Sequence, residues 1–299
     1  MNKLTKLGLA TLAGSLVASS AYAGASVTGK AKIEYKSQDD DEVTGNPFTI
    51  DRGLVFSASG EMDNGMTAGY LQKLSAGAHT SSEAFLDMGE TGKIAVANGR
   101  SGAGIRAYRY VLPSAGEEVW DDTDTDDNGL VQGNDTGAVY YTGSFGNFGI
   151  SAALTKGANG SNDNSQVLTY SGLMDGLTLG YGIGENGATT DLTTYFAKYT
   201  VGSITAAYQS SEIDASGSSS DEEATGIGVS FAVNENMSIS YGMWDVDMQT
   251  GTDEESSGIS ASYTMGGMTF GLVANSTDNV AGSSADDDTF TEINVTFAF

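Results

Sequence analysis

Cysteine is missing from this 299-residue chain, which excludes disulfides and thiolate metal sites. Proline is nearly missing, with only Pro47 and Pro113. Histidine occurs once, at His79 in a short polar stretch, so histidine-based catalysis has no second partner and no enzymatic activity is expected. Basic residues are scarce, 13 against 39 acidic ones. A phosphate-binding surface needs the opposite balance, so nucleic acid is not an expected partner. Long apolar runs are absent too: none approaches the roughly 20 residues a membrane-spanning helix requires.

The first residues read as an export signal. Lys3 and Lys6 give a basic start, residues 7–18 are largely apolar, and Ala21, Tyr22 and Ala23 form a small-x-small cleavage site. The mature chain is then expected to span 24–299, or 299 − 23 = 276 residues, with a formal charge of 11 − 39 = −28. Such acidity is typical of disorder. Against that, tyrosine, phenylalanine, valine and isoleucine recur in short regular runs.

The last seven residues are the most informative. Successive side chains of a strand face opposite sides, so Ile293, Val295, Phe297 and Phe299 share one face and Asn294, Thr296 and Ala298 the other. One greasy face, one polar face and a terminal aromatic suit a transmembrane barrel strand. The pattern recurs. Period-two runs bounded by turn residues predict sixteen strands, roughly 25–36, 52–62, 66–75, 82–89, 93–99, 136–145, 147–156, 165–173, 176–183, 190–200, 203–211, 223–232, 236–246, 256–264, 267–276 and 288–299. A mature length of 276 residues leaves fourteen strands open as well. Tight turns such as Asp63, Asn64 and Gly65, or Val201 and Gly202, alternate with longer connections at 37–51, 75–82, 99–135, 157–164, 184–189, 211–222, 247–255 and 277–287. This is a meander with one trimmed and one elaborated end.

Charge obeys the strand parity. Ile227, Val229 and Phe231 share one face, as do Met237, Ile239, Tyr241 and Met243, whereas Lys30, Lys32, Glu34, Lys36, Glu61, Lys73, Glu83, Asp87, Lys198 and Glu292 take the opposite parity. A charge facing hydrocarbon costs about 2–4 kcal/mol at mid-membrane, so the charged parity implies a watery interior. Arg52 and Lys156 break the rule and are expected near strand ends or at a bulge. Acidic runs such as Asp253, Glu254 and Glu255, or Asp286, Asp287 and Asp288, fall in or beside the long connections, where they would form a negative vestibule.

With these features the chain resembles the general bacterial porins. The resemblance covers 24–299 and rests on strand count, alternating loops, a long third connection and the terminal Thr296, Phe297, Ala298 and Phe299. It implies an all-β, antiparallel up-and-down barrel in the outer membrane of a Gram-negative bacterium, surrounded by lipid and assembled as a homotrimer. It further implies a third loop, 98–135, folded into the pore, and a Phe299 strand read by the barrel-assembly machinery. The loop would present Glu117, Glu118, Asp121 and Asp122 to the pore, facing Lys30, Lys32, Lys73 and Lys198, with Arg100, Arg106 and Arg109 at its own beginning. Opposed charges across a narrow gap create a transverse field; alternatively the same pairs only fasten the loop to the wall.

Inside this loop Asp124, Asp126, Asn128 and Gly129 match the start of a calcium loop, with Asp135 at the twelfth position. Asp replaces the usual bidentate Glu there and no helices flank it, so calcium is an option rather than a required cofactor. The expected function is a passive, weakly cation-selective pore for small hydrophilic solutes. Two alternatives remain: a substrate-specific channel using Tyr108, Tyr110 and Trp120 as an aromatic track, and a secreted β-rich adhesin.

Overall fold

A computed structural model describes residues 24–39, 46–99, 102–121, 123, 130, 136–156, 162–216 and 221–299. The proposed export signal lies outside the described residues. Sixteen antiparallel strands follow one another: β1 (Gly24–Gln38), β2 (Phe48–Glu61), β3 (Thr67–Ser75), β4 (Ala78–Asp87), β5 (Lys93–Asn98), β6 (Thr136–Phe145), β7 (Phe148–Lys156), β8 (Asn162–Tyr170), β9 (Leu177–Asn186), β10 (Thr190–Val201), β11 (Ile204–Ala215), β12 (Glu222–Asn234), β13 (Met237–Met248), β14 (Glu254–Met265), β15 (Met268–Asp278) and β16 (Asp288–Ala298). Each strand pairs with its sequence neighbours, and β1 pairs with β16 to close the barrel. The barrel thus has the sixteen strands expected, and the option of fourteen falls away.

Closure leaves no open edge, so backbone polar groups are satisfied within the wall, as hydrocarbon requires. The seam uses the chain end: Gly29 N donates to Phe299 O at 2.6 Å and Phe299 N to Gly29 O at 3.0 Å. A Cβ at Gly29 would lie 2.4 Å from the Phe299 ring, so glycine lets the terminal aromatic lie across β1.

Outward parity is apolar, with Ile227, Val229 and Phe231 exposed on β12 and Ile239, Tyr241 and Met243 on β13. Inward parity on these strands carries Ala224, Gly226 and Gly228, then Gly242, Trp244 and Val246. The buried apolar clusters lie between the inner wall and the chain segment that follows β5.

Two expected long connections prove tight. The one placed at 75–82 is a two-residue turn at Ala76 and Gly77, with φ of 51° and 86°, and β9 joins β10 through 187–189 alone. Residues such as His79, Thr80 and Ser81 resemble a loop in composition, yet strands remain paired where both faces are polar. For the same reason β11 and β13 run past Glu212, Asp214, Asp245 and Asp247. Of the two parity exceptions, Lys156 ends β7. Arg52 lies inside β2, and its carbonyl accepts Ala76 N at 3.0 Å, level with the β3 to β4 turn at the edge of the wall.

Candidate functional site: a loop seated inside the barrel

The long third connection runs along the inner wall. Gly104 N donates to Ser151 Oγ of β7 at 2.9 Å and Ile105 N to Ser165 Oγ of β8 at 3.0 Å. A 3-10 turn, Ile105–Tyr108, follows. Ile105 is fully buried among Val167, Leu192 and Phe196, with Leu130 of the returning loop in the same cluster. Gln209 of β11 binds the loop twice, accepting from Val111 N at 3.0 Å and donating to Tyr108 O at 2.7 Å. Further on, Ala115 N donates to Ser240 Oγ of β13 at 2.9 Å. On the way back Asn275 Nδ2 of β15 donates to Glu118 O at 2.9 Å and Asp121 O at 3.2 Å, and Thr277 Oγ1 to Thr123 Oγ1 at 2.9 Å.

Side-chain size in the wall makes room for this path. A Cβ at Gly228 would lie 2.9 Å from Leu112, and one at Gly242 2.8 Å from Val119. Over this floor Trp120 packs edge-on against Trp244 at 4.7 Å and Tyr110 against Trp120 at 4.6 Å. Tyr108 stacks on Phe196 of β10. Burial, with Glu118 adding to it, pushes the Tyr110 phenol up and keeps it protonated. Trp120 is only 4 % exposed. These aromatics anchor the loop, and Trp120 has almost no face left to offer a sugar.

The loop tip ends on β1. Lys32 Nζ donates to Glu117 Oε1 at 2.7 Å and to Glu292 Oε1 of β16 at 3.1 Å, and is ion-paired with Glu34. Three other inward lysines also have carboxylates: Lys30 meets Asp51 at 2.9 Å, Lys36 meets Glu292 at 3.5 Å and Lys93 meets Glu83 at 2.6 Å.

Of the charges expected at the constriction, Glu117 and Lys32 are therefore brought together. Lys30 pairs with β2 and not with the loop. Lys73 is exposed on the inward parity of β3. Lys198 is two residues beyond Phe196 on the same inward face of β10, toward the tight-turn end and away from the tip. Arg106 and Arg109 are half-buried at the 3-10 turn, and Glu118 and Asp121 half-buried on the return. Arg100, Asp122 and the calcium candidates Asp124, Asp126, Asn128 and Asp135 lie outside the described residues. Sequence reasoning left Asp51, Lys93, Glu34, Glu83 and Glu292 out of the site. Parity already placed the last three inward; cross-strand register, which puts Lys32 opposite Asp51 and Lys36 opposite Glu292, was the missing signal.

A family model described as Gram-negative porin matches residues 8–299. Among solved structures, a mutant of Rh. blastica porin is similar over 92% of this chain and 100% of its own, with 13% identity and a TM-score of 0.65. A triple mutant of Rhodopseudomonas blastica porin covers the same shares at 14% identity and a TM-score of 0.64. At such identities the likeness concerns the fold. Comparison with curated proteins finds no match.

Proposed function

We propose that this chain, which belongs to the Gram-negative porin family and so forms an outer-membrane channel, conducts small hydrophilic solutes and ions by passive diffusion with a weak preference for cations. One observation carries the proposal: a loop fastened to the inner wall narrows a closed barrel whose inward parity is polar and charged. A substrate track of aromatics is disfavoured, because Trp120 and Trp244 are buried against each other.

The cation preference follows from two features. The mature charge of −28 is concentrated toward the elaborated end, so cations accumulate at that mouth. Closer to the loop tip, the lysines that could reverse this effect are neutralised: Lys30 and Lys32 each have a carboxylate within 3.1 Å. Across a bilayer with a roughly tenfold potassium chloride gradient, the reversal potential should take the cation-selective sign. It should shrink as salt rises, since screening acts over roughly 10 Å at 0.1 M. An anion-selective sign at low salt would mean that the remaining bases, Lys73, Lys198 and the loop arginines, govern permeation.

A homotrimer is the proposed assembly. β5 has six residues, fewer than the ~9–11 a tilted membrane strand needs. Beside it Gln72 and Ser82, opposite one another, take the outward parity. A second copy of the chain covers such a low wall better than lipid does.

Phe299 is proposed as the signal read by the assembly machinery. Phe299→Asp should lower the amount of folded protein in the outer membrane, and unchanged assembly would remove that role. Calcium binding at Asp124, Asp126, Asn128 and Asp135 rests on sequence spacing alone. Calorimetry should show calcium heat for the wild type that Asp124→Ala with Asp126→Ala loses; equal heats would reduce the segment to diffuse charge.

A further inference from the structure

Glu34, Glu117 and Glu292 bring one carboxylate oxygen each within 4.8 Å of one another, on β1, the loop tip and β16. Glu34 and Glu292 are buried, at 6% and 0% exposure. Two lysines enter this cluster, Lys32 touching all three acids and Lys36 touching Glu292 at 3.5 Å. Three negative and two positive charges leave it one positive charge short. Both wall acids are fixed by further bonds: Thr49 Oγ1 donates to Glu34 at 2.6 Å and Asn294 Nδ2 to Glu292 at 2.6 Å. Glu117 differs. Its tip is shaped by Ser114, whose Oγ donates to Glu117 O at 2.6 Å, but its buried Oε2 has no hydrogen-bond partner. Lys32 is thus the ionic link between this carboxylate and the wall.

We infer that Lys32 is the positioning residue of the constriction. It holds the loop tip against the β1 and β16 seam by neutralising an acid that Glu34 and Glu292 would otherwise repel. The wall acids serve to hold the lysine, and the lysine holds the loop. Like charges at such separations in a partly buried site repel strongly, so loss of the ammonium reverses the sign of the force on the tip. Without Lys32, three carboxylates also face one another with no ammonium among them except Lys36 at the edge. That arrangement suits a hard divalent cation, which takes carboxylate oxygens. The inference rests on the proposed channel function.

The test is open-channel current noise for purified wild type, Lys32→Gln, Glu117→Gln and the exchange Lys32→Glu with Glu117→Lys. Wild type should give steady levels. Both single variants should show a several-fold rise in noise with a larger mean conductance. The exchange should restore steady levels, because the ammonium, now carried by the loop tip, again lies among three carboxylates. Millimolar calcium should quieten Lys32→Gln, by bridging the three acids, and leave Glu117→Gln noisy, because only two acids remain. Glu117 is on the loop and outside the wall, so Glu117→Gln tests the idea even where Lys32→Gln fails to assemble. Steady wild-type-like levels in Glu117→Gln would overturn the inference, as would calcium quietening both single variants alike. Absence of any channel in the wild type would instead overturn the function itself.

Discussion

Val229→Arg should abolish assembly of the barrel, while Ser230→Arg, one residue along, should assemble nearly as wild type. Val229 faces outward near the middle of β12, 41 % exposed, and has hydrocarbon as its solvent. Arginine there costs about 2–4 kcal/mol at the bilayer midplane. That is a large part of a typical folding free energy of roughly 5–15 kcal/mol. Ser230 takes the opposite parity, next below Gly228, on which Leu112 and Pro113 of the loop rest. Its side chain is half-buried on the lumen side, level with Ser240, and an arginine can extend from there toward the aqueous lumen. Heat-modifiable gel mobility of outer-membrane fractions measures both variants. Equal assembly of the two would mean that the two parities do not face different solvents.

The second large effect concerns the loop anchor. Trp120→Ala should leave the barrel assembled and release the loop. Trp120 contacts Tyr110 at 4.6 Å and Trp244 at 4.7 Å in the cluster that also includes Leu112, Val119 and Val246. Truncating a buried tryptophan to alanine costs about 3–5 kcal/mol. Here the loss falls on the contact between loop and wall, because the strand ladders do not involve this side chain. Limited proteolysis of the assembled protein should cut within the loop much faster than in the wild type, with higher conductance to match. Unchanged cleavage would show that the hydrogen bonds from Gln209, Ser240 and Asn275 suffice to hold the loop without the aromatic cluster.

The barrel was legible because its signal is repeated. Each strand in isolation is weak, but the parity of Ile227, Val229 and Phe231 recurs around the wall, and the membrane enforces it at every strand. Strand ends at the elaborated rim were less legible. Beyond the hydrocarbon both faces meet water, so Glu212 and Asp247 lie in paired strands although they read as loop residues. The loop as an inward-folded segment came from length and from resemblance, and its aromatic residues marked it as packed. Its destination could not be read. Seating depends on glycines of β12 and β13 far away in sequence, and on a register that brings Lys32 between Glu34 and Glu292. The individual charges were visible, but their partners were not. Sequence reasoning therefore set Lys30 and Lys32 opposite the loop acids without showing that Lys30 pairs with Asp51 and that Lys32 is shared by Glu117 and the wall acids.

Single-channel recording of the purified protein in a planar bilayer tests the central claim most directly. A water-filled diffusion pore predicts discrete insertions that close in three equal steps, with a conductance rising in proportion to bulk potassium chloride conductivity. A conductance that saturates at low salt, or protein that inserts without conducting, would contradict it.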